Sequence, residues 1–218
     1  MKLTTLPALL LLTCLSVLES RAAEGVPVVS GIPVDDYALY DQVVTKKFLT
    51  SETQLVLLER MTVSRLLPNQ EEPLTIAFFQ EQGYFHGKLP LDLIRDFVGA
   101  NHDPSRLDGR FQFGVRYRFV SGTGIEEPEV TLALAVKAGR ALPAQAPLVV
   151  DRLAFSRVAR TLRNDQALLY VENMRPDGAG AGFLVWFRRQ GREWTIFDTE
   201  VIWTVRSQES GDGPLLAP

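Results

Sequence analysis

The sequence predicts an α+β fold: a curved antiparallel sheet, arranged as a meander, with two or three helices packed mainly on one face. Three observations predict it. Between Val150 and Arg206, runs of alternating apolar and polar residues follow one another with turn signals between them, and the links are too short for crossover helices. Two segments have helical spacing instead. Tyr37, Tyr40, Val44 and Phe48 fall near one face behind a capping Asp35 or Asp36, and Leu91, Ile94 and Val98 form a stripe that leaves Asp92, Arg95 and Asp96 outside it. Finally, Phe111, Phe113, Val115, Tyr117 and Phe119 alternate with Gln112, Gly114, Arg116 and Arg118, a strand pattern with one polar face.

In chain order, residues 1–22 read as a signal peptide, 23–34 as a linker, 35–206 as a single α+β domain and 207–218 as a flexible tail. The first helix is expected over 36–48, with Lys46 and Lys47 favourably placed in its last turn. Leu55-Val56-Leu57-Leu58 opens a buried strand continuing to Val63, and Pro68 to Pro73 is an acidic, polar loop. Leu74 to Gln82, stopping before Gly83, is a short helix, and Leu91 to Ala100 is the second long one. Asn101 to Gly109 and Pro143 to Pro147 are loops, and Val130 to Val136 alternates like a strand. The meander then comprises Leu153–Val158, Ala167–Val171, Phe183–Phe187, Trp194–Phe197 and Val201–Val205, about five or six strands in all.

Pairing Arg188 with Glu193 puts Phe183, Val185, Phe187, Trp194 and Ile196 on one face of the hairpin, and Leu184, Trp186, Thr195 and Phe197 on the other. The first face is core and the second is mixed. Phe183, Val185, Trp194, Ile196 and Val201 are expected to be buried, with Asp198-Thr199-Glu200 as a bulge or tight corner.

Ser156-Arg157-Val158, then Gln166-Ala167-Leu168-Leu169-Tyr170-Val171, then a Gly-rich link, an aromatic strand and the stretch from Trp194 to Trp203 form a recognisable series. In this the chain resembles a family of uncharacterised secreted bacterial proteins with a Ser-Arg-Val-Gly-Phe-type strand, a Gln-Ala-Leu-Val-Tyr-Val-type strand and a closing Trp-rich pair. The resemblance extends more weakly to Tyr37–Phe48 and Leu55–Thr62. It implies the fold and an exported protein, and brings no activity with it. The chain departs from the pattern where Ala159-Arg160-Thr161 replaces a Gly-Phe-Asn segment, and where the Asp177 to Gly182 loop lacks cysteines, so no loop disulfide is carried over.

The apolar run Leu6 to Leu18 follows Lys2, is too short to span a membrane, and precedes small residues around Ser20-Arg21-Ala22. This predicts a secreted or periplasmic protein starting near Ala23. The alternative is a lipoprotein acylated at Cys14, the one cysteine of the chain, but Thr13 is larger than the small residue that usually precedes such a site. Without Lys2, Arg21 and Glu19, the 23 basic and 26 acidic residues become 21 and 25, a net charge of -4. A mildly acidic chain without a basic block does not fit nucleic acid or an anionic membrane, and no transmembrane segment is expected. The partner class left is a small exported ligand or another protein.

The residues also narrow the chemistry. His86 and His102 lie in separate loops, so neither a metal site nor a cofactor is expected. No serine sits in a G-x-S-x-G or Ser-x-x-Lys setting, and Ser156 is expected to bond a neighbouring strand or turn. The Gly178, Gly180 and Gly182 run precedes a strand rather than the helix that a phosphate loop requires. As catalytic residues only Glu172 and Glu200, at strand ends, stand out as a carboxylate pair, against the simpler reading of solvated edge charges. As ligand-binding residues, Arg157 and Arg116 are either buried ion-pair partners, the preferred reading, or anion-recognition groups, with Trp186 and Phe197 supplying an aromatic surface. The functional expectation is an exported, non-catalytic binding or protein-interaction domain. The alternative is a metal-independent hydrolase of an envelope polymer.

Overall fold

A computed structural model of the chain describes residues 31–122, 124–125, 149–175 and 178–206. The fold is α+β with a curved, open, mostly antiparallel sheet, as the sequence predicts. Helix α1, Val34–Val43, runs into a π-helical turn, Val44–Phe48, and is followed by strand β1, Leu55–Glu59. Helix α2, Ile76–Gln82, is capped by the Thr75 hydroxyl, which accepts from the Phe78 N–H at 3.1 Å, and ends on Gly83 in the left-handed conformation. Helix α3 covers Leu91–Ala100, the predicted span. The strands that follow are β2 Arg116–Ser121, β3 Gly124–Ile125, β4 Val149–Phe155, β5 Ala159–Arg160, β6 Gln166–Met174, β7 Gly180–Gln190 and β8 Glu193–Val205.

The sheet order is β3-β2-β1-β4-β6-β7-β8, with β5 paired to β6. Strands β4, β6, β7 and β8 make the expected antiparallel meander. The addition is β1, which lies between β2 and β4 and runs parallel to both. Its link to β2 contains α2 and α3 and so is long enough for a parallel crossover.

Both faces of the central strands are buried. On one, Val56, Leu58, Leu153, Phe155, Leu169, Val171, Val185 and Phe187 pack with Tyr37, Tyr40 and Val43 of α1 and with Phe111 and Phe113. On the other, Leu168, Tyr170, Leu184 and Trp186 pack with Phe79 of α2, Tyr84 and Phe85, and Leu93, Ile94 and Phe97 of α3. This corrects the expectation that the helices at 36–48 and 91–100 share a face. The unbroken apolar run Leu168-Leu169-Tyr170-Val171 is what a doubly covered strand needs, because successive side chains enter opposite cores.

Three further expectations change. Residues 194–205 form one strand rather than two, paired with β7 as Gln190↔Glu193, Arg189↔Trp194 and Arg188↔Thr195 around the turn Gly191-Arg192. The register slips at Phe197 and at Ile202, where single residues bulge. Val185 is buried and Phe183, Trp194 and Ile196 are half-buried on the predicted face, but Val201, between the two bulges, is 52% exposed. Residues 111–115 are not a strand, although Phe111 and Phe113 are buried as their alternation predicts. The Gln112 N–H donates to both Asp41 carboxylate oxygens, at 2.9 and 3.0 Å, rather than to a neighbouring strand. The calls on 1–22, most of 23–34, 130–136, 143–147 and 207–218 lie outside the described residues.

Ser156 closes the gap between β4 and β5 in the manner expected. Its hydroxyl accepts the Tyr170 N–H at 2.8 Å and donates to the Arg157 carbonyl at 2.9 Å, while its own carbonyl accepts from the Tyr40 hydroxyl at 3.0 Å. The Asn101 side chain ties the end of α3 to the same corner, accepting the Arg157 N–H at 2.7 Å and donating to the Arg157 carbonyl at 3.2 Å.

Candidate functional site

Apart from Arg116, the residues singled out by sequence fall into two groups on opposite faces of the sheet. The first group is built on the rows Glu172–Gly182–Trp203 and Tyr170–Leu184–Glu200 of β6, β7 and β8. Glu172 and Glu200 therefore share a face, as two strand-borne carboxylates must to act together, but stand two strands apart, about 10 Å across the sheet. Each is engaged. Glu172 accepts from Arg65 Nη2 at 3.1 Å and from the Tyr170 hydroxyl at 3.2 Å. Glu200 accepts the backbone N–H of Phe85.

That bond holds an unusual turn. Phe85 and His86 both have left-handed backbones, with φ of 53° and 57°, which cost non-glycine residues about 1–2 kcal/mol each. Tyr84 beside them is buried, and its hydroxyl has no hydrogen-bond partner among the described residues. Burial, and then the Glu200 charge, push the Tyr84 hydroxyl up to about 12. Burial, and then Glu172, push the Tyr170 hydroxyl up as well, so it serves as a hydrogen-bonding group rather than a base near neutral pH.

Trp186 is only 3% exposed. Its indole N–H donates to Gln166 at 3.0 Å, and its ring is flanked by Phe85 at 5.4 Å and Phe197 at 4.9 Å. Phe197 is 48% exposed, because the bulge carries it to the rim, and the Arg188 guanidinium lies 3.4 Å from its ring centre. The aromatic pair is thus half core and half surface.

The second group lies where α1 meets β5 and the end of the β7–β8 hairpin. Asp36 is 1% exposed and pairs with Arg160 Nη1. Burial raises the Asp36 carboxyl more than Arg160, and then Arg157, lower it. Arg157 is half-buried, and its Nε is buried with no partner among the described residues. The buried ion pair expected of Arg157 is made by Arg160 instead, three residues on, where the alternation of β5 turns the side chain toward α1. Arg116 is exposed at the start of β2, away from both groups, and has no ion pair among the described residues.

No helix among the described residues is long and apolar enough to cross a membrane, and among them no group of three or more His, Cys, Asp or Glu side chains could hold a metal ion. No family model, curated protein or solved structure matches the chain.

Sequence reading missed Asp36, Gln42, Arg160 and Trp194 as a polar cluster. Asp36 reads as a helix cap and Trp194 as core filler, and nothing in their spacing brings them to one another.

Proposed function

We propose that the protein is an exported, non-catalytic domain that binds a small exported ligand or another protein. The observation that carries this reading is the uneven use of hydrogen-bonding groups. Glu172 and Glu200 already accept bonds from Arg65, Tyr170 and Phe85. Catalysis would need at least one of them free to face a substrate and exchange a proton with it. Arginine donors, by contrast, have no hydrogen-bond partner among the described residues at the buried Arg157 Nε and Arg160 Nη2. A guanidinium, with its planar fork of N–H donors, is suited to recognising an oxyanion rather than to exchanging a proton with a substrate.

Export rests on the composition of residues 1–22 and on the resemblance to secreted proteins. Intact mass of material from the secreting host is expected to place the first residue near Ala23. A retained Met1, or a diacylglyceryl group on Cys14, would contradict it.

Incubation with an envelope glycan preparation separates binding from hydrolysis. The expected result is retention on the polymer, or on a protein partner, without release of new reducing ends. Release that disappears in Glu172→Gln or Glu200→Gln would replace this reading with the metal-independent hydrolase. Alanine at Arg157 or Phe197 is expected to weaken retention while the fold persists.

A further inference from the structure

The sequence contains one Asp-Pro bond, Asp103-Pro104, and the fold puts it on the surface beside a histidine. His102, Asp103 and Pro104 are exposed, whereas the residues on either side of them are buried, Asn101 at 2% and Ser105 at 7% exposure. Both flanks are tied down. The Asn101 backbone N–H and side-chain amide donate to the Phe97 carbonyl at 3.1 and 2.9 Å, closing α3. The Ser105 N–H donates to the Thr62 hydroxyl at 2.8 Å, and the Ser105 carbonyl accepts the Thr62 N–H at 2.8 Å. Between these anchors, His102 Nδ1 lies 3.0 Å from Asp103 Oδ2.

This placement favours a cut made by the chain itself over one made from outside. A protease draws its substrate into a cleft as an extended segment, and three residues pinned at both ends resist being drawn out. An Asp-Pro bond carries its own nucleophile, because the carboxylate can close on the carbonyl carbon of its own residue in a five-membered ring. The tertiary prolyl nitrogen then leaves readily, provided that a proton reaches it. A flexible chain has no donor held in place for that step. Here the imidazolium form of His102 supplies one, and by holding Oδ2 it leaves Oδ1 to attack.

We propose that Asp103-Pro104 is a self-cleavage site, with Asp103 as nucleophile and His102 as proton donor. Asp103 Oδ1 forms a bond to the Asp103 carbonyl carbon, and the bond from that carbon to the Pro104 nitrogen breaks. The nitrogen keeps the electron pair and takes the imidazolium proton. This gives neutral imidazole, a free amine at Pro104 and a cyclic anhydride on Asp103. Water adds to the anhydride and opens it to two carboxyl groups, so the net reaction is hydrolysis of one peptide bond. The step uses neither Glu172 nor Glu200 and stands apart from the binding reading above. The cut separates α1, β1, α2 and α3 from β2 and all later strands. Because β1 is paired between β2 and β4, with Val56 and Leu58 buried, the two pieces remain one folded body.

The test incubates the mature protein in mildly acidic buffer, with and without urea, and follows intact mass under denaturing conditions. The expected fragments end at Asp103 and begin at Pro104, form about tenfold faster in the folded protein than in urea, and elute together on native size exclusion. Added hydroxylamine should trap the anhydride as a hydroxamate, in part on the Asp103 side-chain carboxyl, a position that a contaminating protease does not acylate. Asp103→Asn should abolish the cut. His102→Gln should slow it about tenfold without changing the melting temperature. Cleavage that persists in Asp103→Asn, or fragments without side-chain hydroxamate, overturns self-cleavage. A rate as high in urea as in the folded protein, or one unaltered in His102→Gln, reduces the site to the ordinary lability of an Asp-Pro bond and overturns the proposal as well.

Discussion

Tyr170 and Trp203 sit on strands separated by β7, yet the Trp203 indole N–H donates to the Tyr170 hydroxyl at 2.8 Å across it. The bond passes over Gly182, where an added Cβ would lie 2.7 Å from both Trp203 Cε2 and the Tyr170 hydroxyl. The missing side chain is a packing requirement. It lets β8 be fastened to β6, and through Tyr170 to Glu172 and Arg65.

Gly182→Ala is therefore expected to lower the unfolding free energy by about 1–3 kcal/mol in urea denaturation, the range for overfilling a packed site. Gly99→Ala is the paired comparison. Nothing lies within 4 Å of a Cβ at Gly99, inside α3, so alanine there should raise stability by up to about 1 kcal/mol. The same chemical change with opposite signs separates the close approach over β7 from any general property of glycine.

Ser156→Ala leaves the buried Tyr170 N–H without its acceptor and is expected to cost about 1–3 kcal/mol. Hydrogen exchange should locate the effect, with the Tyr170 amide losing protection while amides in β8 keep theirs.

Arg160→Met removes the partner of the buried Asp36 and should cost about 3 kcal/mol, because an uncompensated charge remains inside. Replacing both, as Arg160→Met with Asp36→Leu, should recover most of that loss in thermal or urea unfolding. A double variant no more stable than the single one would show that the pair does more than compensate its own burial.

The Asp41 carboxyl is pushed up to about 6 by burial, against the two contacts from the Gln112 N–H that favour the charged form. Its folded value lies above that of the unfolded chain, so the folded state holds the proton more tightly. Its contribution to stability is fully present below about pH 4, near the unfolded value, and is lost as pH rises through 6. The Gln112 amide resonance should titrate with a midpoint near 6, and Asp41→Asn should remove both that titration and the matching part of the fall in melting temperature between pH 4 and 7.

What could be read from sequence depended on whether a signal was local. The stripe of Leu91, Ile94 and Val98 gave the bounds of α3, and Gly191, with φ of 64°, marked the turn of the long hairpin. Glu172 and Glu200 were named only as a pair at strand ends, and it is the register of β6, β7 and β8 that puts them on one face. Strand order was a different matter, because Leu55-Val56-Leu57-Leu58 announces a buried strand without naming its neighbours, and its two parallel partners lie far along the chain. The exposure of Phe197 follows from one bulged residue, which no alternation pattern encodes, while Trp186 is buried by the Phe85 turn and the helices packed on its face. The cluster at Trp194 joins α1, β5 and β8, so only the assembled fold brings its polar atoms together.

The bulges at Phe197 and Ile202 also govern how the molecule behaves among its own copies. Strand β8 is 13 residues long, ends the sheet among the described residues, and exposes Phe197, Val201 and Val205. A straight edge of that length and character would template another chain. The two bulges break its outer line of N–H and C=O groups into short, twisted pieces, and Glu193, Asp198 and Glu200 add like charge along it. The irregularity that spoils the register of the hairpin is thus a barrier to fibril growth, and concentrated protein should stay clear where a variant without the extra residue would seed aggregates.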